Sequence, residues 1–333
     1  WHIRITDLAS ECVFFDDMAE GVILNSIEKY FIQFHIEASL NGTMIFSHDF
    51  NPEGQEIFFY SASTAIGDTL AMLPYIKAFK KIYGCQVVCY INPAFHAILA
   101  QYYGFPQQDR LSENTYATYY LGAWQDAPLE MPADARIIPL TSAGNTLLRL
   151  NQPVNKDILK PTVPRKIREK YVCIAIQASG PMKNWWYPNG WNILTHYLKT
   201  LGYRVLCIDR EKETVFENYT VTMPEEAEDF TGNIPLMDRL NLLAYADFFI
   251  GLSSGLAWLA NAADIPVILI SGFTLPFHEF YTPYRIINPL VCHGCFHDLR
   301  LPYAVCPKYK DTEREHECTK KIAPGQIIRA IQQ

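Results

Sequence analysis

The chain has no run of basic residues and no surplus of them. Its 28 Lys and Arg are outnumbered by 35 Asp and Glu, giving a formal net charge of -7 over 333 residues. Dispersed cations on an acidic chain argue against nucleic acid as the main partner, because phosphate backbones are bound by clustered Lys and Arg. No apolar stretch reaches the roughly 18 residues that a membrane helix needs; Asp247 and Asp264 break up the best region. The pattern GxxxxGK followed by Ser or Thr is missing, and no GxGxxG follows a strand-like run, so triphosphate hydrolysis and dinucleotide redox chemistry both lose support. His278-Glu279 has no second histidine at the zincin spacing, which removes the metalloprotease reading. Low-complexity segments and solenoid repeats are absent too.

What is present is a chain that is 49% hydrophobic and long enough to bury two cores with appendages. Residues 1–52 alternate apolar and polar in WHIRITDL, CVFFDD, KYFIQFHIEASL and MIFSHDF, with turn signals at Asp16-Asp17 and Asn41-Gly42, which predicts a meander of short antiparallel strands. The rhythm then changes. EIFFYSA reads as a buried strand, followed by a helix from about Gly67 to Tyr83, strand QVVCYI, helix PAFHAILAQYYG, and strands ATYYLGA and ARIIPL. From Arg165 a second alternating set begins, with strands YVCIAIQAS, YRVLCID, DFFIGL and PVILISG separated by helices WNILTHYLKTLG, PLMDRLNLLAYA and GLAWLANAAD. Strands alternating with helices imply parallel, Rossmann-like layers. The expected fold class is α/β: two Rossmann-like domains, 53–160 and 161–290, facing a cleft, with the β-rich segment 1–52 before them and 291–333 after. Lys156, Lys160, Pro161 and Pro164 mark 155–164 as the linker.

Cys292, Cys295, Cys306 and Cys318 begin as CxxC and lie in a stretch rich in Pro and charge, including Pro302, Pro307, Asp298, Arg300, Lys308, Lys310 and Glu313. So polar a stretch has little apolar surface to offset its ordering entropy, whereas a bound metal supplies about 10 kcal/mol or more. Residues 291–320 therefore read as a metal-stapled finger, with two disulfides or four unrelated thiols as the plainer alternative. Four thiolates suit zinc or a single iron and leave no open position, so the site is structural. His293, His297 and His316 are nearby substitutes for a ligand. The other five cysteines, Cys12, Cys85, Cys89, Cys173 and Cys207, sit mostly in strand-like runs as free thiols, which points to a reducing compartment and a cytoplasmic protein. The same thiols count against use of the sequons at Asn41-Gly42-Thr43 and Asn218-Tyr219-Thr220. Trp1 is an unusual first residue for a cytoplasmic chain and leaves open upstream residues, a removed targeting segment among them.

Four strand ends carry small-residue turns, one in the first half and three in the second. After EIFFY comes Ser61-Ala62-Ser63-Thr64-Ala65-Ile66-Gly67-Asp68, a loop that lets a ligand approach the backbone and ends in a carboxylate. Asp68 is either a general base or merely the cap of the following helix. After IAIQAS comes Gly180-Pro181-Met182-Lys183 followed by Trp185, Trp186 and Trp191; Lys183 either holds a diphosphate or is a solvated loop lysine. Ser253-Ser254-Gly255 opens a helix whose free N–H groups face where an anion would sit, and Ser271-Gly272-Phe273-Thr274 repeats the arrangement at the next strand end. Thr64, Gly67, Gln177 and Asp209, at the ends of these strands, complete the set of candidate ligand contacts.

Gly67-Asp68-Thr69-Leu70 to Leu73-Pro74, the Lys183 turn before Trp191, and SGLAWLA followed by PVILISGFTLP together resemble the heptosyltransferases of the GT-B type. CHGC and VCPKYKDTEREHEC are similar to the iron-finger of the bacterial autotransporter heptosyltransferases. The resemblance covers about residues 1–333 and is strongest from Tyr171 onward. It implies an inverting enzyme that moves heptose from ADP-heptose to serine hydroxyls of an autotransporter adhesin before export, as a ring of twelve subunits with the N-terminal strands among the contact surfaces. It further implies Asp68 as the base, Lys183 on the diphosphate, Ser253, Ser254 and Gly255 around phosphate or sugar, Gly272 and Thr274 closing the pocket, Asp209 near the nucleoside, and iron in the finger. Lipopolysaccharide heptosyltransferases carry Asp-Thr-Gly and a following His where this chain has Ser253-Ser254-Gly255 and Trp258, a departure that favours the adhesin-modifying branch. The alternatives are a lipopolysaccharide-core acceptor and a non-catalytic, metal-stapled assembly module.

Overall fold

The structure is a computed structural model that describes residues 1–24, 32–61, 63–122, 135–301 and 305–333. Lys29, Tyr30 and Phe31 of the third N-terminal run, Ala62 of the first turn, Ala123 of ATYYLGA and Pro302 of the finger lie outside the described residues.

The N-terminal segment forms a four-stranded antiparallel sheet of β1 (His2–Asp7), β2 (Val13–Met18), β3 (Phe34–Leu40) and β4 (Thr43–Asp49). Its order is β2-β1-β3-β4, so the chain passes from β2 across β1 to reach β3 and a simple meander is not what forms. The β3-β4 turn is the expected one. Asn41 and Gly42 both have positive φ, 51° and 81°, which suits the twist of a two-residue hairpin. Tyr116 ties this sheet to the first lobe: its hydroxyl accepts from the Asn51 backbone N–H at 2.8 Å and bonds His48 Nε2 at 2.8 Å.

The first lobe contains β5 (Glu56–Tyr60), α1 (Ile66–Tyr83), β6 (Gln86–Tyr90), the short α2 (His96–Ile98), β7 (Thr115–Tyr120) and α3 (Leu140–Leu148). Its three strands are parallel in the order β6-β5-β7. Fully buried Phe59 of β5 meets Phe79 of α1 edge-on at 5.4 Å, and α1 ends at Gly84, whose φ of 63° a side chain would resist. The expected strand ARIIPL does not form. Residues 135–138 are turns, and α3 starts at Leu140, where Leu140, Ala143, Gly144, Leu147 and Leu148 recur at helical spacing and are buried. Gly144 permits the close approach of α3 to α1, since a Cβ there would lie 2.4 Å from the Tyr75 ring.

Residues 155–164 form neither helix nor strand and are tied to the second lobe by Lys156 Nζ on Asp264 at 3.0 Å and by the Thr162 N–H on Asn241 Oδ1 at 2.7 Å. That lobe holds β8 (Tyr171–Ala175), α4 (Gly190–Thr200), β9 (Arg204–Cys207), β10 (Glu213–Phe216), β11 (Tyr219–Thr222), β12 (Glu228–Asp229), α5 (Leu236–Leu243), β13 (Phe249–Leu252), α6 (Gly255–Ala262), β14 (Val267–Ile270) and β15 (Arg285–Ile286). Six parallel strands run in the order β12-β9-β8-β13-β14-β15, with β10-β11 a separate hairpin. Strand order reverses between β8 and β13, and the crevice at such a reversal is where doubly wound sheets bind ligands. The turns after these two strands carry Lys183 and Ser253. The finger region adds α7 (Glu317–Lys320) and α8 (Pro324–Ile331), whose Ile327 is fully buried in the second-lobe core. Among the described residues no helix is long and apolar enough to cross a membrane.

Candidate active site

Between the lobes lies a cavity of about 380 Å³ whose wall includes Asp68 from the first lobe and Gly180, Met182 and Lys183 from the second. Asp68 stands in the first turn of α1, while the cap position is Ala65, which has no side chain able to cap. The Asp68 carboxylate is instead oriented by Ser63, whose hydroxyl donates to Oδ2 at 3.0 Å. Burial lifts its pKa, against the pull of the Ser63 hydrogen bond and the Lys183 charge. A carboxylate so placed is a stronger base than an exposed one.

Lys183 closes the 3-10 turn Pro181–Lys183. Buried Asn184 holds this turn: its Oδ1 accepts from the Ala178 N–H at 3.1 Å and its Nδ2 donates to the Gly180 carbonyl at 3.2 Å. The neighbouring tryptophans are anchors, Trp186 Nε1 donating to the Pro181 carbonyl at 2.7 Å and Trp185 Nε1 to the Ile322 carbonyl at 2.8 Å. Burial lowers the Lys183 pKa, opposed by the negative charges of Glu279 and Asp68. The ammonium is thus poorly hydrated and faces two carboxylates, which readies it for an anionic ligand.

The other turns contribute less directly than their residues suggest. Ser253 is buried and donates its hydroxyl to Glu279, as does Thr274 at 2.7 Å, although Thr274 also lines the cavity. The Ser254 hydroxyl, at the cap of α6, is buried without a protein partner. Three predicted ligand-contact glycines stand at points of close packing. A Cβ on Gly67 would lie 2.7 Å from Trp258 Cδ1, one on Gly255 2.6 Å from Ile66 Cβ, and one on Gly272 2.7 Å from Cys318 Cβ. Asp209 faces inward, accepting from the backbone N–H groups of Ile176 at 2.7 Å and Gln177 at 3.2 Å, so its carboxylate locks the end of β8. Burial pushes its pKa up to about 6. Gln177 spends its side-chain amide on the Glu211 carbonyl at 2.8 Å, and Thr64 is exposed outside the cavity wall.

Residues that sequence reasoning passed over complete the wall. Phe216 comes from the β10-β11 hairpin, Phe273 and His278 from the segment after β14, and Phe296 from the finger. The signal for His278 and Glu279 is a polar pair inside the apolar run FTLPFHEF, four and five residues after Thr274. Burial lowers the His278 pKa to about 4, so its ring is neutral near pH 7.

The four finger cysteines line one small pocket behind this wall, together with Met182. Among the described residues no group of three or more His, Cys, Asp or Glu is gathered tightly enough to hold a metal ion. The donor chemistry nevertheless suits one: burial and the nearness of the other thiols push the Cys295 and Cys318 thiols up to about 12, a repulsion that a cation among the sulfurs would reverse. The histidines are otherwise engaged, His293 with the Val291 carbonyl, His297 with the Arg136 carbonyl, and His316 against the Trp186 ring at 6.1 Å. The finger also buttresses the cavity, because the Gly294 N–H donates to the Gly272 carbonyl at 2.8 Å and Phe296 packs on Phe273 at 5.2 Å.

Residues 144–288 match glycosyltransferase family 9 (heptosyltransferase). The autotransporter heptosyltransferase BAHTCr of Citrobacter rodentium is 37% identical over 341 residues, covering 98% of this chain and 83% of that protein. The crystal structure of TibC from enterotoxigenic E. coli H10407, described as an iron-containing dodecameric glycosyltransferase, superposes with a TM-score of 0.93 at 34% identity, covering 100% of this chain and 90% of TibC. TibC in complex with ADP-D-beta-D-heptose superposes at 0.90 with 35% identity and the same coverage. A relative described as an inactive autotransporter heptosyltransferase, BimC of Burkholderia thailandensis, is 29% identical over 345 residues, covering 99% of this chain and 81% of BimC.

Proposed function

The chain belongs to the autotransporter heptosyltransferases, within glycosyltransferase family 9, and on that premise we propose that it moves heptose from ADP-heptose to serine hydroxyls of an autotransporter adhesin, inverting the anomeric centre. The observation that carries this reading is the placement of Asp68 and Lys183, from opposite lobes, on the wall of one cavity and within electrostatic reach of each other. The architecture is read as GT-B, with 53–160 facing the acceptor and 161–290 holding the nucleotide sugar.

A serine hydroxyl attacks the anomeric carbon weakly unless its proton is removed as the new bond forms. Asp68, oriented by Ser63, takes that proton. As the bond to the ADP oxygen breaks, negative charge gathers on the diphosphate, and Lys183 neutralises it in a cavity where Phe273 and Phe296 exclude water. The first turn of α6, with Ser254 at its cap, is read as the side that meets phosphate or sugar. One displacement suffices, and no sugar is attached to the protein on the way.

Cys292, Cys295, Cys306 and Cys318 would hold one structural iron, as TibC is described as containing iron. Its contribution is to fold the finger that supports the Lys183 turn and Phe273. Assembly into twelve subunits, the state described for TibC, would use the N-terminal sheet, which leaves Met44, Ile45 and Phe46 exposed. Buried free thiols at Cys89, Cys173 and Cys207 support work in the bacterial cytoplasm, before the adhesin is exported.

The test is incubation of purified, metallated protein with ADP-heptose and an adhesin passenger, with Asp68→Asn as the control. The expected result is one heptose mass added per modified serine with the unaltered enzyme and far slower addition with the variant. No mass increase rejects the reading, the outcome a relative of inactive type would give; preference for a lipopolysaccharide-core acceptor replaces the adhesin as substrate.

A further inference from the structure

The strands β5, β6 and β7 each end in a tyrosine, and the register of the sheet sets Tyr60 beside Tyr90 on one side and Tyr120 on the other. The Tyr60 and Tyr90 rings stack at 5.1 Å and 13°, and the Tyr120 ring meets Tyr60 edge-on at 5.4 Å. Phe59 turns to α1, so the three tyrosines stand on the opposite face of the sheet, at its carboxyl rim. Ring pairs across strands stabilise a sheet, but here a large part of the aromatic surface stays outside the packing: Tyr90 is 37% and Tyr120 44% exposed. Tyr90 also lines a cavity of about 630 Å³, walled by Pro93, His96, Gln108 and Arg110 among others. An exposed aromatic row that runs into a cavity has the form of a recognition surface, and neither donor binding nor proton removal gives it a task.

The row is continuous with the loop that carries the base. The Leu121 N–H donates to the Tyr60 carbonyl at 2.7 Å and the Ser61 N–H to the Tyr90 carbonyl at 2.9 Å, so the chain leaves the row pinned to both neighbours. Ser63, whose hydroxyl holds Asp68 at 3.0 Å, is three residues beyond Tyr60, which keeps their Cα atoms within about 11 Å. An extended polypeptide covers that distance in about three or four residues. We propose that the tyrosine row and the cavity beside Tyr90 bind the acceptor as an extended stretch of polypeptide, whose residues flanking the modified serine lie on Tyr60, Tyr90 and Tyr120 while the serine passes over the strand ends to Asp68. This rests on the reading of Asp68 as the base.

The chemistry of the surface selects the class of acceptor. A lipopolysaccharide core is anionic, and its phosphates call for clustered Lys and Arg. Among the described residues that wall the cavity, Arg110 is the one such cation, and Asp109 stands next to it. The rest of the surface is neutral in character. Three rings offer flat apolar faces with a hydroxyl at each tip, and Gln108 adds an amide that can both donate to a peptide carbonyl and accept from a peptide N–H. Tyrosine is a favoured anchor for polypeptide because it brings much contact area with few torsions to freeze. Neighbouring strands are about 4.8 Å apart, so the row spans about three residues of an extended chain laid across it.

The experiment compares the double variant Tyr90→Ala/Tyr120→Ala with the unaltered enzyme, using an unmodified adhesin passenger. Passenger binding is measured first with ADP-heptose absent, then transfer as a function of passenger concentration. The double variant should bind passenger about tenfold more weakly and show a passenger KM raised by about as much, with kcat and ADP-heptose affinity unchanged. Tyr90→Phe/Tyr120→Phe, which keeps the rings, should stay near the unaltered enzyme. Should the alanine variant not fold, Tyr90→Leu/Tyr120→Leu keeps apolar bulk without the flat ring and should weaken passenger binding in the same direction. Unmoved passenger affinity and KM overturn the inference. So do an equal rise in KM for a lipopolysaccharide-core acceptor, a changed number of subunits by sedimentation, which makes the row a contact between copies, and a failure of both variants to fold, which makes the rings a packing feature. An unaltered enzyme that binds passenger through the row yet transfers no heptose overturns the functional reading and leaves the row as a binding surface; one that binds no passenger overturns both.

Discussion

A Cβ on Gly67 would stand 2.7 Å from Trp258 Cδ1, so the helix that carries Asp68 touches the second lobe at a position where only glycine fits. The contact is matched nearby, where a Cβ on Gly255 would stand 2.6 Å from Ile66 Cβ. Helices α1 and α6 thus cross at their first turns, and the crossing sets how the base of one lobe faces the cation of the other. Gly67→Ala should cost about 1–3 kcal/mol, since the indole cannot swing aside as a flexible chain would. Transfer should fall about tenfold or more as Asp68 is displaced. Calorimetry and a transfer assay check this, and an unchanged melting temperature with full activity would contradict it.

Asp68→Asn should lower kcat by about 10²- to 10⁴-fold and leave ADP-heptose binding largely intact, because the amide keeps the shape but takes no proton. Burial raises the Asp68 pKa, so the base stays protonated to a higher pH than a free aspartate near 3.9. In the unaltered enzyme the acid limb of kcat/KM should therefore lie above that range, with the rate falling as pH drops through it. A variant that retains its rate would return Asp68 to a purely structural role.

Lys183→Met keeps the apolar stem and removes the charge, and transfer should drop by about 10²- to 10³-fold. The two groups are coupled, Lys183 pulling the Asp68 pKa down. In the residual activity the acid limb should then shift to higher pH than in the unaltered enzyme. An acid limb that stays put would show that the two side chains do not sense each other.

Gly272→Ala would drive a Cβ to within 2.9 Å of the Cys318 carbonyl oxygen and carbon, backbone atoms that cannot yield cheaply. The finger should be pushed from the lobe, lowering metal content per chain and weakening donor binding through the lost support of Phe273 and the Lys183 turn. Chelation of the metal should act in the same direction. Metal analysis with calorimetric titration of ADP-heptose checks both, and full donor affinity in metal-free protein would show that the finger does not reach the site.

Much of the parallel architecture was legible because the period of the apolar residues is a local property. YVCIAIQAS and PVILISG can bury both faces only as central strands, and β8 and β14 are buried throughout. ARIIPL misled for the same reason. It has the composition of a strand, but the helical recurrence from Leu140 to Leu148 and the packing of Gly144 on Tyr75 claim its last residue for α3. The N-terminal strand order also escaped, since alternation says which face is buried and nothing about which neighbour a strand takes. At the site, Asp68 and Lys183 were legible as isolated charges on small-residue turns. Glu279 was not, because its meaning lies in its hydrogen bonds to Ser253 and Thr274, which follow two different strands.

The sequence by itself determined the alternation of strands and helices, the placing of small residues and charges at strand ends, and the cysteine spacing of the finger, all consequences of local chemistry. Only the tertiary structure decided which strand ends meet. It made Gly67, Gly255 and Gly272 points of close packing, turned Asp209 and Ser253 into internal ties, and brought Phe296 of the finger to the wall of the cavity. The physical reason is that a side chain's partners are set by distance in space: Asp68 and Lys183 are far apart along the chain, and the crossing of α1 and α6 is what brings them to one cleft.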